Sequence, residues 1–222
     1  GLLLADLGAD VVKIERPGSG DLMRSWPPHL VNDEGAAFSA SFSALNRGKR
    51  SLSLDLRNPR DLVRMIRLVE AADVLLENFR PGVLAKLGLG YDALNAVNRQ
   101  LIYCSVTGYG QTGPSANRGA FDVTVQAESG LMSVTGVQPG EPVKCGVPVA
   151  DLATALYAGL TILAAVNQAR ETNLGAHIDC SMFGCMLGIS ALQTSAYFAT
   201  GETPQRLGSR HPNNAPYQGF YG

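Results

Sequence analysis

The residue most open to chemistry is Asp151, in the stretch Pro142-Val-Lys-Cys-Gly-Val-Pro-Val-Ala-Asp-Leu-Ala-Thr-Ala-Leu-Tyr-Ala-Gly. It is a carboxylate at the mouth of a long apolar run, behind a loop broken by Gly146 and Pro148, and no further charge follows until Arg170. Two readings compete. An Asp at the start of a helix accepts hydrogen bonds from the free N–H groups of the first turn, and the helix dipole favours its charge. Alternatively, a helix N-terminus keeps a carboxylate ionised while apolar neighbours strip its hydration, which makes it a nucleophile. A second pattern, Gly108-Tyr-Gly-Gln-Thr-Gly113, satisfies GxGxxG directly after a strand-like run. It is half of a dinucleotide fingerprint; the other half, a helix opening at the third glycine of the first βα unit, is missing, because Pro114, Ser115 and Asn117 follow. The expectation is therefore no NAD, and a glycine-permitted turn that lets backbone approach a neighbour.

Composition narrows the rest. The 222 residues are 45% hydrophobic and 17% charged with net charge −1, which gives no basis for a disordered tail or a nucleic-acid-binding surface. Cys104, Cys145, Cys180 and Cys185 form no CxxC pair and sit in apolar surroundings, and His29, His177 and His211 are scattered singly. Neither a disulfide framework nor a metal site is indicated; the cysteines read as reduced and mostly buried. Gly1-Leu-Leu-Leu-Ala-Asp-Leu-Gly8 has no basic n-region and is too short to span a bilayer, so a cytoplasmic protein with no membrane partner is expected. That opening reads as the end of a helix closed by Gly8, and Tyr217-Gln-Gly-Phe-Tyr-Gly222 as the start of a strand, so the sequence is expected to be a fragment.

The elements that must position Asp151 alternate in type. Asp10–Ile14, Ser51–Asp55, Val74–Leu76, Leu101–Val106 and His177–Cys180 read as short strands. A helix opens at Asn58-Pro59, a cap followed by a proline at the first helical position, with Leu62, Met65, Ile66 and Val69 on one face. Strand, helix and strand joined by short links predict an α/β, Rossmann-like domain with a mostly parallel sheet, flanking helices, and two appended long helices at about 152–170 and 181–199.

Five segments together resemble the class III coenzyme A transferases, the formyl-CoA transferase-like family. They are Ala5-Asp-Leu-Gly-Ala-Asp-Val-Val-Lys-Ile-Glu-Arg-Pro-Gly-Ser-Gly-Asp21, Asn46-Arg-Gly-Lys-Arg-Ser-Leu-Ser-Leu-Asp-Leu56, Asp73-Val-Leu-Leu-Glu-Asn-Phe-Arg-Pro-Gly82, Ser105-Val-Thr-Gly-Tyr-Gly-Gln-Thr-Gly-Pro114 and Gly146-Val-Pro-Val-Ala-Asp151. Their order and spacing agree from end to end, and the sequence looks most like the branch that takes CoA from succinyl-CoA to another carboxylic acid. The resemblance implies that residues 1–222 are the large Rossmann-like, CoA-binding domain of an interlocked homodimer, incomplete at both ends. Members are nearly twice as long, so the small domain and its glycine-rich loop would lie outside this sequence.

Carried over residue by residue, the resemblance makes Asp151 the nucleophile that is acylated by the donor thioester. It places coenzyme A against Arg16, Leu54, Asp55, Leu56, Arg57, Asn78, Phe79, Arg80, Lys86, Gly119, Ala120, Phe121 and Asp122. Arg16, Arg57, Arg80 and Lys86 offer charge to its phosphates, though a basic residue taken alone is ordinarily solvated surface. Phe79 is either a core ring or a platform for the adenine, and Trp26, in Arg24-Ser-Trp-Pro-Pro28, reads as a loop anchor. Leu152, Ala153 and Ala155 would keep water from the nucleophile. The substrates expected are an acyl-CoA and a carboxylic acid, with no metal.

Two rivals remain. The α-methylacyl-CoA racemases share this fold but move a proton with a histidine and an aspartate. Where they carry Gly-His-Asp, this chain reads Gly119-Ala-Phe-Asp122, and phenylalanine cannot exchange a proton. The other rival is a CoA-binding or assembly module with no chemistry of its own.

Overall fold

A computed structural model describes residues 1–220 of the chain. Helix α1 (Leu2–Asp6) is closed as expected near Gly8, whose φ of 97° suits glycine and whose N–H reaches Ala5 O at 3.0 Å. Strand β1 (Val11–Glu15) leads through a 3-10 turn, Leu22–Ser25, to β2 (His29–Val31), β3 (Ala37–Ser39), α2 (Ala40–Asn46) and β4 (Lys49–Ser53). Then come α3 (Pro59–Glu70), β5 (Val74–Glu77), α4 (Val83–Lys86), α5 (Tyr91–Val97) and β6 (Ile102–Thr107). The chain continues through α6 (Asp122–Glu128), α7 (Leu131–Val134), α8 (Val149–Thr172), β7 (Ala176–Ser181), α9 (Met182–Ile189) and α10 (Ala191–Thr200). The architecture is mixed α/β: β1 pairs with β4 in parallel, β5, β6 and β7 pair in that order, and β2 and β3 form an antiparallel hairpin.

Two compact units divide the chain. The first holds Gly1–Leu76, Leu84–Tyr103 and Leu163–Ala176. Its core is set by the amphipathic face of α3. Asn58 caps that helix by accepting the Arg60 N–H at 2.9 Å, Pro59 opens it, and Val69 packs with Leu75, Leu84, Leu89, Leu94, Leu101 and Tyr103. Leu62, Met65 and Ile66 line the same cluster, as their spacing predicts. The Tyr103 hydroxyl donates to Leu89 O at 3.0 Å, so its polar end is satisfied inside.

The second unit holds Glu77–Val83, Cys104–Ile162 and the chain from His177 onward. Val125, Ala150, Ala153, Met182 and Met186 form its core, fixing α6, the first turns of α8 and α9 against one another. Among the described residues one helix, α8, is long and apolar enough to cross a membrane by length and composition. Ala150, Ala153, Ala158 and Ile162 are buried along it, whereas Leu152, Leu156 and Leu160 are exposed.

Several boundaries differ from expectation. The second long helix is two, because Ser190 (φ −92°, ψ 15°) interrupts the turn between α9 and α10. The β2–β3 hairpin was not anticipated; Asn32 makes its turn by accepting the N–H groups of Glu34 and Ala36 at 3.1 and 2.8 Å. Of the strand expected at 217–222, residues 217–220 carry no strand pairing and 221 and 222 lie outside the described residues. Trp26, expected as a loop anchor, is 53% exposed. Cys104, Cys180 and Cys185 are buried and Cys145 half-buried.

Candidate active site

The first unit carries Arg16, Leu54–Arg57 and Lys86. Register sets Glu15 beside Ser53, and the Leu54 N–H donates to Glu15 O at 3.0 Å, so the segments leaving β1 and β4 begin side by side. Arg16 and the 54–57 segment are thereby brought together at the carboxyl ends of two parallel strands, where α/β sheets hold ligands. Leu54 is buried, Leu56 packs on the core, and Asp55, Arg57 and Arg16 are exposed. Asp55 shapes its turn by accepting the Arg57 N–H at 3.0 Å, and its own N–H goes to Asp61 Oδ2 at 3.0 Å. Lys86, exposed at the end of α4, takes no part in these bonds. A surface cavity of about 330 Å³ is lined by Leu52, Ser53, Leu54, Leu68, Arg64 and Arg67. The last two arginines were not singled out from sequence.

What fixes the loop that carries Arg16 is Glu15, another residue that sequence reading passed over. Its buried carboxylate accepts Arg24 Nε at 2.7 Å, Arg24 Nη2 at 2.8 Å, Ser51 Oγ at 2.7 Å and the Asp21 N–H at 2.9 Å. The Arg24 hydrogen bond dominates and, with those of Ser51 and Asp21, outweighs desolvation to hold the acid at about 2, against an ordinary 4.5. Lys13 pairs with Asp21 at 2.6 Å, closing the same loop from the other side.

The second unit carries Asn78–Arg80, Gly119–Asp122 and Asp151. Asn78 donates through Nδ2 to Val106 O near the end of β6, and the Phe79 N–H donates to Glu77 Oε2 at 2.7 Å. Phe79 is 45% exposed, which removes the core reading. Arg80 lies against Gly119, where a Cβ would stand 3.4 Å from its Nη2. Gly108 is required for a different reason: a Cβ there would fall 2.2 Å from the Cβ of Ala120. The 108–113 segment thus acts as a turn that admits the 119–121 backbone. After Gly113 the chain continues in turns until α6 begins at Asp122.

Asp151 stands in the first turn of α8, exposed, and its carboxylate accepts no hydrogen bond among the described residues. The cap expected of it is supplied by Asp122. Oδ1 of Asp122 accepts the N–H of Ala150 at 2.8 Å and that of Asp151 itself at 3.2 Å. Asp151 is therefore not the lone carboxylate that the local sequence suggests. Desolvation first, and then the charge of Asp122, push its carboxyl above the ordinary range. Of the residues expected to keep it dry, Ala153 is buried, while Leu152 is 48% exposed and Ala155 is exposed too. Phe121, at the position expected to separate transferase from racemase, is 78% exposed.

The sequence profile of CoA-transferase family III matches residues 1–221. The chain belongs to CoA-transferase family III. Its relatives include the succinate–glutarate CoA-transferase of Agrobacterium fabrum, 46% identical over 220 residues, covering 98% of this chain and 55% of that protein. The succinyl-CoA:glutarate CoA-transferase of Mus musculus is 41% identical over 217 residues, covering 98% of this chain and 49% of that protein. The succinyl-CoA:mesaconate CoA-transferase of Haloarcula hispanica is 43% identical over 223 aligned positions, covering 99% and 56% respectively. Among solved structures, a CAIB/BAIF family protein from Brucella suis superposes with a TM-score of 0.92 at 46% identity, covering 98% of this chain and 57% of its own. The chain spans about half the length of the relatives it matches.

Proposed function

We propose that the protein moves coenzyme A from succinyl-CoA to a second dicarboxylic acid, with Asp151 as the residue that is acylated. The observation that carries the reading is an exposed carboxylate in the first turn of α8 that accepts no hydrogen bond among the described residues, in a chain of CoA-transferase family III. The names of the relatives, which pair succinyl-CoA or succinate with glutarate or mesaconate, support the choice of acids.

An Asp151 oxygen attacks the thioester carbonyl, the C–S bond breaks, and CoA thiolate leaves as a mixed anhydride forms. The thiolate then attacks the Asp151 carbonyl, releasing the donor acid and leaving an aspartyl-CoA thioester. The acceptor carboxylate attacks that thioester in turn, giving an anhydride and thiolate, and the thiolate attacks the acceptor's carbonyl to release acceptor-CoA and free Asp151. Splitting the exchange this way replaces one difficult substitution with easier ones, and no step calls on a metal or a redox group. Arg16, Arg57, Arg80 and Lys86 are assigned to the phosphates of CoA, Phe79 to its adenine, and Leu54–Leu56, Asn78 and Gly119–Asp122 to the rest of its length. The enzyme acts as an interlocked homodimer in the cytoplasm, with water kept from the nucleophile.

The test is a panel assay on the intact protein with succinyl-CoA and mixed mono- and dicarboxylic acids, read as new CoA thioesters by mass spectrometry. Glutaryl- or mesaconyl-type products that vanish in Asp151→Asn are expected. Exchange retained in that variant overturns the role of Asp151, and CoA binding with no product from any acid favours a module without chemistry.

A further inference from the structure

The N–H groups that open a helix have no carbonyl partner inside it, and an Asp in the first turn is a ready acceptor for them. Asp151 occupies that position in α8, yet the amides of Ala150 and of Asp151 itself go to Asp122, 28 and 29 residues earlier in the chain. The other oxygen of Asp122 accepts Nε2–H of Gln126. Gln126 is fully buried, and its Oε1 accepts the N–H of Cys145 at 2.8 Å. One line of hydrogen bonds therefore ties together the start of α6, the loop ahead of α8 and the first turn of α8. Both oxygens of Asp122 and both ends of the Gln126 amide are engaged, while among the described residues the Asp151 carboxylate is left without a donor.

We propose that Asp122, held by Gln126, is a positioning residue: it caps α8 in place of Asp151 and so leaves the Asp151 carboxylate unbonded and exposed for attack. The proposal rests on the nucleophilic reading of Asp151. A first-turn aspartate that capped its own helix would have its lone pairs tied to amides, and each such bond would have to break before attack. Capping from another segment removes that competition. It also puts a negative charge beside the nucleophile, which, after desolvation, disfavours the ionised carboxylate and raises its basicity. The spacing of Asp122 and Gln126, four residues apart on one helix, lets the second orient the first.

The experiment uses the intact protein and three variants, Asp122→Ala, Asp122→Asn and Gln126→Leu. The first readout is the rate at which the Asp151 peptide gains mass at saturating succinyl-CoA. Asp122→Ala is expected to slow acylation at saturating succinyl-CoA about 100-fold, the scale of a misplaced reacting group. Asp122→Asn keeps an acceptor for the two amides and is expected to recover part of that loss, and Gln126→Leu to fall between. Equal rates in all variants, with only the melting temperature lowered, make Asp122 a structural cap and overturn the proposal. So does an equal loss in Asp122→Asn and Asp122→Ala. The second readout needs no reaction: the ¹³C titration of the Asp151 side chain is expected to move to lower pH in Asp122→Asn, the variant most certain to fold. An unchanged titration overturns the proposal even where the wild type acylates. Absence of any adduct in the wild type, by contrast, removes the nucleophile and the positioning role with it.

Discussion

Glu15 and Asp151 are two carboxylates of one chain driven in opposite directions by their surroundings. Glu15 accepts four hydrogen bonds, from Arg24, Ser51 and Asp21, and titrates near 2; Asp151 accepts none among the described residues and is pushed upward. The Glu15 carboxylate is a structural group with a defined pH signature. Its folded pKa lies below the unfolded value, so the unfolded state binds more protons and stability rises with pH across that interval. Its contribution is complete above the ordinary 4.5 and is lost as pH falls toward about 2. Glu15→Gln is expected to cost about 1–3 kcal/mol at neutral pH, the scale of a broken charged hydrogen-bond set, and to flatten the acid limb of the stability curve. Denaturant melts of both proteins from pH 6 to pH 2 check this; parallel curves would contradict it. Neither Arg24 nor Asp122 was legible as a partner, since their bonds join positions 9 and 29 residues apart whose spacing follows no local period.

The elements were legible where one period governs them. The apolar face of α3 and its Asn58–Pro59 start follow from helical spacing, and β1, β4, β5, β6 and β7 lie within one or two residues of the runs that announce them. Pairing was not legible: that β4 lies beside β1 is decided by packing, and strand patterns carry no neighbour information. The break at Ser190 was hidden because the residues on either side continue one apolar helical pattern. Glycine chemistry at Gly108 yields a sharp prediction. Gly108→Ala would drive a Cβ into Ala120, so the 119–121 backbone must shift, at about 1–3 kcal/mol for an overpacked contact. Adding Ala120→Gly should restore both melting temperature and CoA affinity; a double variant no better than the single one would break the assignment. In the first unit, Leu94→Ala removes a fully buried side chain from the α3 cluster and should cost about 2–5 kcal/mol in chemical denaturation, with CoA contacts untouched.

At the scale of the molecule, some of the residues assigned to coenzyme A belong to one compact unit and some to the other, and each unit orders its own by its own hydrogen bonds. The end-to-end order of five motifs made the family readable before any coordinates, because agreement in sequence order needs no knowledge of packing. The family match over residues 1–221 does not itself test which carboxylate reacts. That claim rests on Asp151 alone, and it is tested most directly by mixing the intact protein with succinyl-CoA in the absence of any acceptor acid and digesting it. The account predicts that the peptide containing Asp151 gains the mass of a CoA thioester, that adding glutarate removes it, and that Asp151→Asn never acquires it. Turnover by a protein whose Asp151 peptide stays unmodified at every time point would contradict it.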